Sequence, residues 1–146
     1  MVNGKRALRD GVVAAMYVLV VFLLTRWVAA PAFAMTFASS SVLLATLPQS
    51  EAARPRNLIG GHVLAALCGW TVGAILGEGA LQAALAIGLA ALVMQATGTL
   101  HPPAAVSGYL MLNQHVHWTW MAAPILAGAI VLALLSRAIE AISPTD

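Results

Sequence analysis

Charges and prolines divide the apolar positions of this chain into six segments. The first runs from about Gly11 to Ala30, with Arg26 near its far end, and Pro31 stops it. The second runs from about Phe33 to Leu47, contains Ser39-Ser40-Ser41 and ends at Pro48. A polar connection, Q-S-E-A-A-R-P-R-N, precedes the third segment, about Leu58 to Leu76. The fourth runs from about Ala80 to Thr97. His101-Pro102-Pro103 follows, then a short fifth segment from Ala104 to Leu112, a polar link from Asn113 to His117, and a sixth segment from Trp118 to Ile142. Gly79 to Ser136 is 58 residues without Asp, Glu, Lys or Arg. As helix that run would rise about 87 Å, nearly three hydrocarbon cores of about 30 Å each. It therefore crosses lipid more than once and breaks at the His-Pro-Pro. Even with its flanks, His101 to Gln114, the fifth segment rises only about 21 Å as helix and needs an extended piece to span.

The pattern predicts an all-α polytopic membrane helix bundle: four long transmembrane helices and two short or broken ones, in a single domain over residues 1–146. The halves 11–78 and 80–142 each read long, short, long. An odd number of crossings per half makes them inverted, an arrangement that puts transporter sites where broken helices meet. Composition agrees, with 61% hydrophobic and 8% charged residues in 146, against about 25% charged in soluble domains. A net charge of +2 gives no basis for nucleic-acid binding. Lys5, Arg6 and Arg9 followed by an apolar run and Ala32-Phe33-Ala34 resemble a cleavable leader. Arg26 and Trp27 interrupt that run, so it is read as retained. Six crossings put six of the seven basic residues, all but Arg26, on one side, and the positive-inside rule makes that side and the N-terminus cytoplasmic. Re-entrant second and fifth segments would leave four spans and move Arg54 and Arg56 outside, which the same rule disfavours. Cys68 is the single cysteine and is read as a packing residue.

Several groups can carry chemistry. Prolines at a helix start fix φ and tolerate the missing N–H, so His101-Pro102-Pro103 ends one helix and seeds another. The new N-terminus, with free amides and a positive dipole end, suits a small anion. His101 then donates to the anion or carries a proton with it; the competing reading is a structural break whose histidine caps carbonyls. Ser39, Ser40 and Ser41 satisfy a broken backbone, contact substrate, or bond helix to helix, and Thr97 and Thr99 invite the same readings. Arg54 and Arg56 either draw anions to a cytoplasmic mouth or anchor topology, and Asn57 starts a helix. His62 reads first as a packing hydrogen bonder. Gly61, Ala65, Gly69, Gly73 and Gly77, four apart, make a smooth face for close helix packing, and a surface for homo-oligomer formation. Trp118 and Trp120 fit an interfacial belt, and Gln82 and Gln95 read as amides satisfied between helices. His115 and His117, without cysteine or carboxylate, make a poor metal site. No metal, cofactor or enzymatic signature is expected.

F-A-S-S-S-V-L-L, R-P-R-N-L-I-G-G-H and T-L-H-P-P-A-A, in that order, resemble the HPP family of integral membrane proteins, over roughly Phe37 to Ile142. The resemblance implies about four transmembrane helices. Some members are linked to nitrite transport, which implies a permease for a small monovalent anion. The motif residues carried over are Ser39 to Ser41, Arg54, Pro55, Arg56, Asn57, Gly60, Gly61, His62 and His101 to Pro103. Two departures stand out. Ala38 replaces a common glycine, and Ala105-Val106 replaces a common Gly-Ala, with Val106 expected to narrow the site.

The reading is thus a bacterial-type plasma-membrane permease or channel, with nitrite foremost, in contact with the lipid bilayer and a small anion substrate. The anion-binding residues are His101, Pro102, Pro103, Ser39, Ser40, Ser41, Arg54, Arg56, Asn57, His62 and Thr99. The alternatives are a non-transporting scaffold or assembly protein, and a membrane enzyme using the histidines around a metal.

Overall fold

A computed structural model describes residues 3–27, 31–113 and 117–142. Among the described residues the chain forms six α-helices and no strand: α1 (Gly4–Trp27), α2 (Ala34–Thr46), α3 (Pro55–Leu76), α4 (Ala80–Ala96), α5 (Ala105–Asn113) and α6 (Ala127–Ile142). Proline marks three starts. A 3₁₀ turn at Pro31–Phe33 leads into α2, Pro55 is the first residue of α3, and a 3₁₀ turn at Pro102–Ala104 leads into α5. Before α6 the chain makes a wide π-helical turn over Ala122–Leu126. Pro124, which has no N–H to give a regular turn, lies inside it.

Three helical stretches are long and apolar enough to cross a membrane: Gly4–Arg26, Pro55–Leu76 and Ala123–Ile142. The fourth helix expected to be long, α4, is apolar but shorter than these three. The 17 residues of α4 rise about 26 Å, at the lower end of what spans a core of roughly 30 Å, because Gly98 stops the helix there. Gly98 sits at φ +63. Its N–H bonds the Gln95 carbonyl and the Thr99 N–H bonds the Met94 carbonyl, the paired bonds of a Schellman cap. The prolines therefore do not end α4. The glycine ends it, and the prolines only start α5.

Successive helices alternate in direction. The C-terminal part of α2 (Val42, Thr46) lies beside the start of α1. Glu140 near the end of α6 sits with Arg9 and Asp10 of α1, and Arg54 sits with Arg137. The N-terminus of α1, the C-terminus of α2, the N-terminus of α3 and the C-terminus of α6 thus share one end of the bundle, together with Arg6, Arg9, Arg54 and Arg137. Arg56 joins α4 to that end by donating to the Thr97 carbonyl at 2.9 Å.

Four apolar clusters hold the helices among the described residues, and two of them bear on the site. Tyr17, Val21, Phe37, Leu44, Leu58 and Leu132 join α1, α2, α3 and α6. Ala65, Cys68, Ala90, Met94 and Ala104 join α3 and α4 to the start of α5. Cys68 is a free, buried packing residue. Leu81, Leu85, Leu89 and Leu92 of α4 face outward, as a lipid-facing side requires.

The small-residue stripe of α3 packs inside the chain rather than against another copy. A Cβ on Gly61 would meet His101 Cβ at 2.7 Å, and one on Gly73 would meet Leu112 at 3.3 Å. A Cβ on Gly69 would fall on the Gly108 carbonyl, and one on Gly108 would meet the Ala65 carbonyl at 2.8 Å. The stripe from Gly61 to Gly73 is covered by α5, which runs parallel to α3, so it offers no surface for an oligomer. Gly77, at φ +77, ends α3.

Candidate functional site

The site lies where α2, α3 and the α4–α5 break meet. His62 is seven residues into α3, about 10 Å from its start. His101 is in the break, Ser40 is in the middle of α2, and Ser107 is on α5; all four are fully buried. Ser40 Oγ is 3.0 Å from His62 Nε2 and 2.9 Å from His101 Nε2. His62 Nδ1 is 2.7 Å from Ser107 Oγ, and His101 Nδ1 is 2.7 Å from the Ala52 carbonyl. The two ring centroids are 5.2 Å apart, and the Phe37 ring covers His62 at 4.6 Å.

With both rings neutral, one arrangement satisfies all four bonds. A carbonyl only accepts, so His101 Nδ1 carries hydrogen and donates to Ala52. His101 Nε2 is then an acceptor, and Ser40 donates to it. Ser40 in turn accepts from His62 Nε2–H. That leaves His62 Nδ1 bare, to accept from Ser107. Such a chain is a fully satisfied polar network in a buried interior, where an unsatisfied one would be expensive.

The structure sorts the residues expected from sequence. His62, His101 and Ser40 converge. Ser41 is buried but turns back to the Phe37 carbonyl at 2.7 Å, and Ser39 is exposed. The serines therefore do not mark a broken helix. They lie within the continuous α2, and only one of the three faces the histidines. Arg54 is exposed and pairs with Glu51 at 3.5 Å. Arg56 caps α4 through Thr97, and Asn57 Nδ2 donates to the Leu100 carbonyl at 3.2 Å. Both tie down the break from α3. Thr99 shares a hydrogen bond with Thr97 at 2.8 Å and packs against Gly60.

The helix N-terminus expected to bind an anion does not present free amides. Pro102 and Pro103 have none. Ala104 N–H bonds the His101 carbonyl, and Ala105 N–H bonds the Pro102 and Pro103 carbonyls. An anion held here is held by side chains. Val106 is 36% exposed and lies off the buried face of α5 that carries Ser107, so the expected narrowing of the site is not seen. His117 is exposed beside Thr119, and Gln82 donates to the Leu76 carbonyl at 3.3 Å. Among the described residues no three His, Cys, Asp or Glu side chains converge on a metal position. His115 and the Trp120 side chain lie outside the described residues.

Sequence reasoning missed Ser107 and the Ala52 carbonyl. A signal for Ser107 was present: Ala104, Ser107, Gly108 and Met111 form the buried face of α5, and Ser107 is the polar residue on it. The Ala52 carbonyl carries no side-chain signal.

A family model described as HPP, transmembrane region, matches residues 1–146. A transmembrane protein of Dictyostelium discoideum is 32% identical over 113 residues, covering 72% of this chain and 40% of its own length. A second from the same organism is 29% identical over 107 residues, covering 68% of this chain and 34% of its own. The chain thus spans well under half the length of these curated relatives. No solved structure matches.

Proposed function

The chain belongs to the HPP transmembrane family, and on that premise we propose that it is a permease for a small monovalent anion, with nitrite the first candidate. One observation carries the reading: two buried imidazoles bridged by a single hydroxyl at a break in a membrane bundle. Ionisable groups at membrane depth are rare and mark pathways for ions and protons. In this reading Arg54 and Arg56 gather anions at the basic end, which faces the cytoplasm of a bacterial-type plasma membrane by the positive-inside rule. Once the His101–Ser40–His62 cluster gains a proton, its positive charge attracts the anion to the break. Asn57, Thr99, Pro102 and Pro103 shape the break around it. The halves α1–α3 and α4–α6, each long, short, long and opposite in direction, fit an inverted architecture with the site at their junction.

The test is nitrite uptake by the purified full chain in liposomes, measured against protein-free liposomes. Uptake above that background, lost in a His101→Ala variant that elutes as wild type, supports the proposal. Equal flux with and without protein sinks it. A second reading, a non-transporting scaffold, is favoured by the fact that every ring nitrogen of His62 and His101 has a partner within the chain. It expects His101→Ala to lower stability while flux stays at background in both proteins.

A further inference from the structure

We propose that Ser107, His62, Ser40 and His101 form a relay that takes up one proton at a time and places it on His101, so that each anion crosses with one proton. The pairing with an anion rests on the permease reading; the relay does not.

The argument follows from the bond order already derived. In the neutral state the donors run one way, from Ser107 through His62 and Ser40 to His101 and the Ala52 carbonyl. A hydronium ion, or the neutral acid of the substrate, delivers a proton to Ser107 Oγ. The Ser107 hydrogen passes to His62 Nδ1 across 2.7 Å. His62 gives its Nε2 hydrogen to Ser40 Oγ across 3.0 Å, and Ser40 gives its own hydrogen to His101 Nε2 across 2.9 Å. One proton has entered, and no heavy atom has moved. His101 now carries both ring hydrogens and the charge, and His62 has changed tautomer. All four contacts survive: His101 donates to Ser40, Ser40 to His62, His62 to Ser107, and His101 still donates to Ala52. Release by the reverse steps restores the first state.

The network accepts one proton and no more. A second would put N–H on both nitrogens that face Ser40, leave the Ser40 hydrogen without an acceptor, and set two positive rings 5.2 Å apart. A single positive charge matches a single monovalent anion, which makes the combined movement electroneutral. Among the described residues the rings contact Phe37 and Ser40 from α2, Gly61 from α3, Ser107 from α5 and the Ala52 carbonyl. None is charged. Glu51 and Arg54, which flank the Ala52 turn, are exposed and paired with each other, and Arg56 is engaged at Thr97.

The relay predicts a signature that a merely structural cluster does not give. The full chain, carrying His115→Gln and His117→Gln and labelled with ¹⁵N-histidine, is placed in phospholipid bilayers and followed by solid-state NMR as pH falls. At high pH one ring should be protonated at Nδ1 and the other at Nε2. On acidification one ring should become charged while the other switches tautomer in the same step. Ser40→Ala should abolish the linked switch and leave the rings titrating separately. The same tautomer on both rings at high pH, or two rings charging together, overturns the relay. In liposomes the wild-type chain should take up nitrite in response to a pH gradient and ignore an imposed potential; uptake that follows the potential overturns one-to-one coupling. The NMR signature without nitrite flux upholds the relay and removes the permease reading. Flux without the signature removes the relay alone.

Discussion

The two short helices beside α3 are held in opposite ways. Backbone shape fixes α5: Gly69 and Gly108 bring two main chains together so closely that a methyl group at either would strike a carbonyl. Side chains fix α2. The Phe37 ring sits against Gly128 of α6 at 2.6 Å from where a Cβ would lie and over His62, Leu44 fills the larger apolar cluster, and the hydrogen-bonded link to the histidines is one hydroxyl. A backbone contact has no rotamer to change, whereas a ring or a hydroxyl can turn. The buried network therefore has a rigid half, His62 with Ser107, and an adjustable half, Ser40 with the helix that carries it.

The sharpest way to break this comparison is Gly69→Ala. Its methyl group meets backbone rather than the end of a flexible side chain, so a loss of about 3 kcal/mol is expected, measured by reversible unfolding in mixed micelles. Wild-type stability would mean that α5 does not lie on α3 as described. Ser40→Ala should rank next. It leaves the Nε2 groups of two buried rings without partners, at about 2 kcal/mol. Its neighbour is the control: Ser41→Ala removes only a bond to its own helix, a kind of bond that does not strengthen helices, and should leave the unfolding midpoint nearly unchanged. Equal losses for the two serines would show that Ser40 is no special joint. Arg56→Ala removes the cation that caps α4 and should lower stability by about 1 kcal/mol, less at high salt. The smallest effect is a gain: Gly88 lies on α4 with open space around its Cβ position, so Gly88→Ala should stabilise the chain by about 0.5 kcal/mol.

Much of this fold is written locally. Pro31, Pro55 and Pro102 each announce a helix start, because the first turn of a helix tolerates a residue without N–H. Gly98 ends α4 by the same kind of local rule, four residues before the prolines that start α5. The pairing of His62 with His101 could be suspected, since both are expensive at membrane depth. Their bridge could not be found by reading, because three adjacent serines look alike until helix α2 is rotated into place. Arg54 and Arg56 look equivalent for the same reason, yet one pairs with Glu51 in the open and the other closes a helix end.

Composition and stereochemistry, which act within a few residues, were enough to make this chain a membrane bundle of long and short helices, to set most helix starts and to gather most of its basic residues at one end. Packing alone decided which face of each helix turns inward. It placed the glycine stripe of α3 under α5 rather than under a second copy, and it selected Ser40 over its neighbours and drew in Ser107 and a backbone carbonyl. Those choices depend on distances between segments remote in sequence, and such distances exist only once the helices have docked.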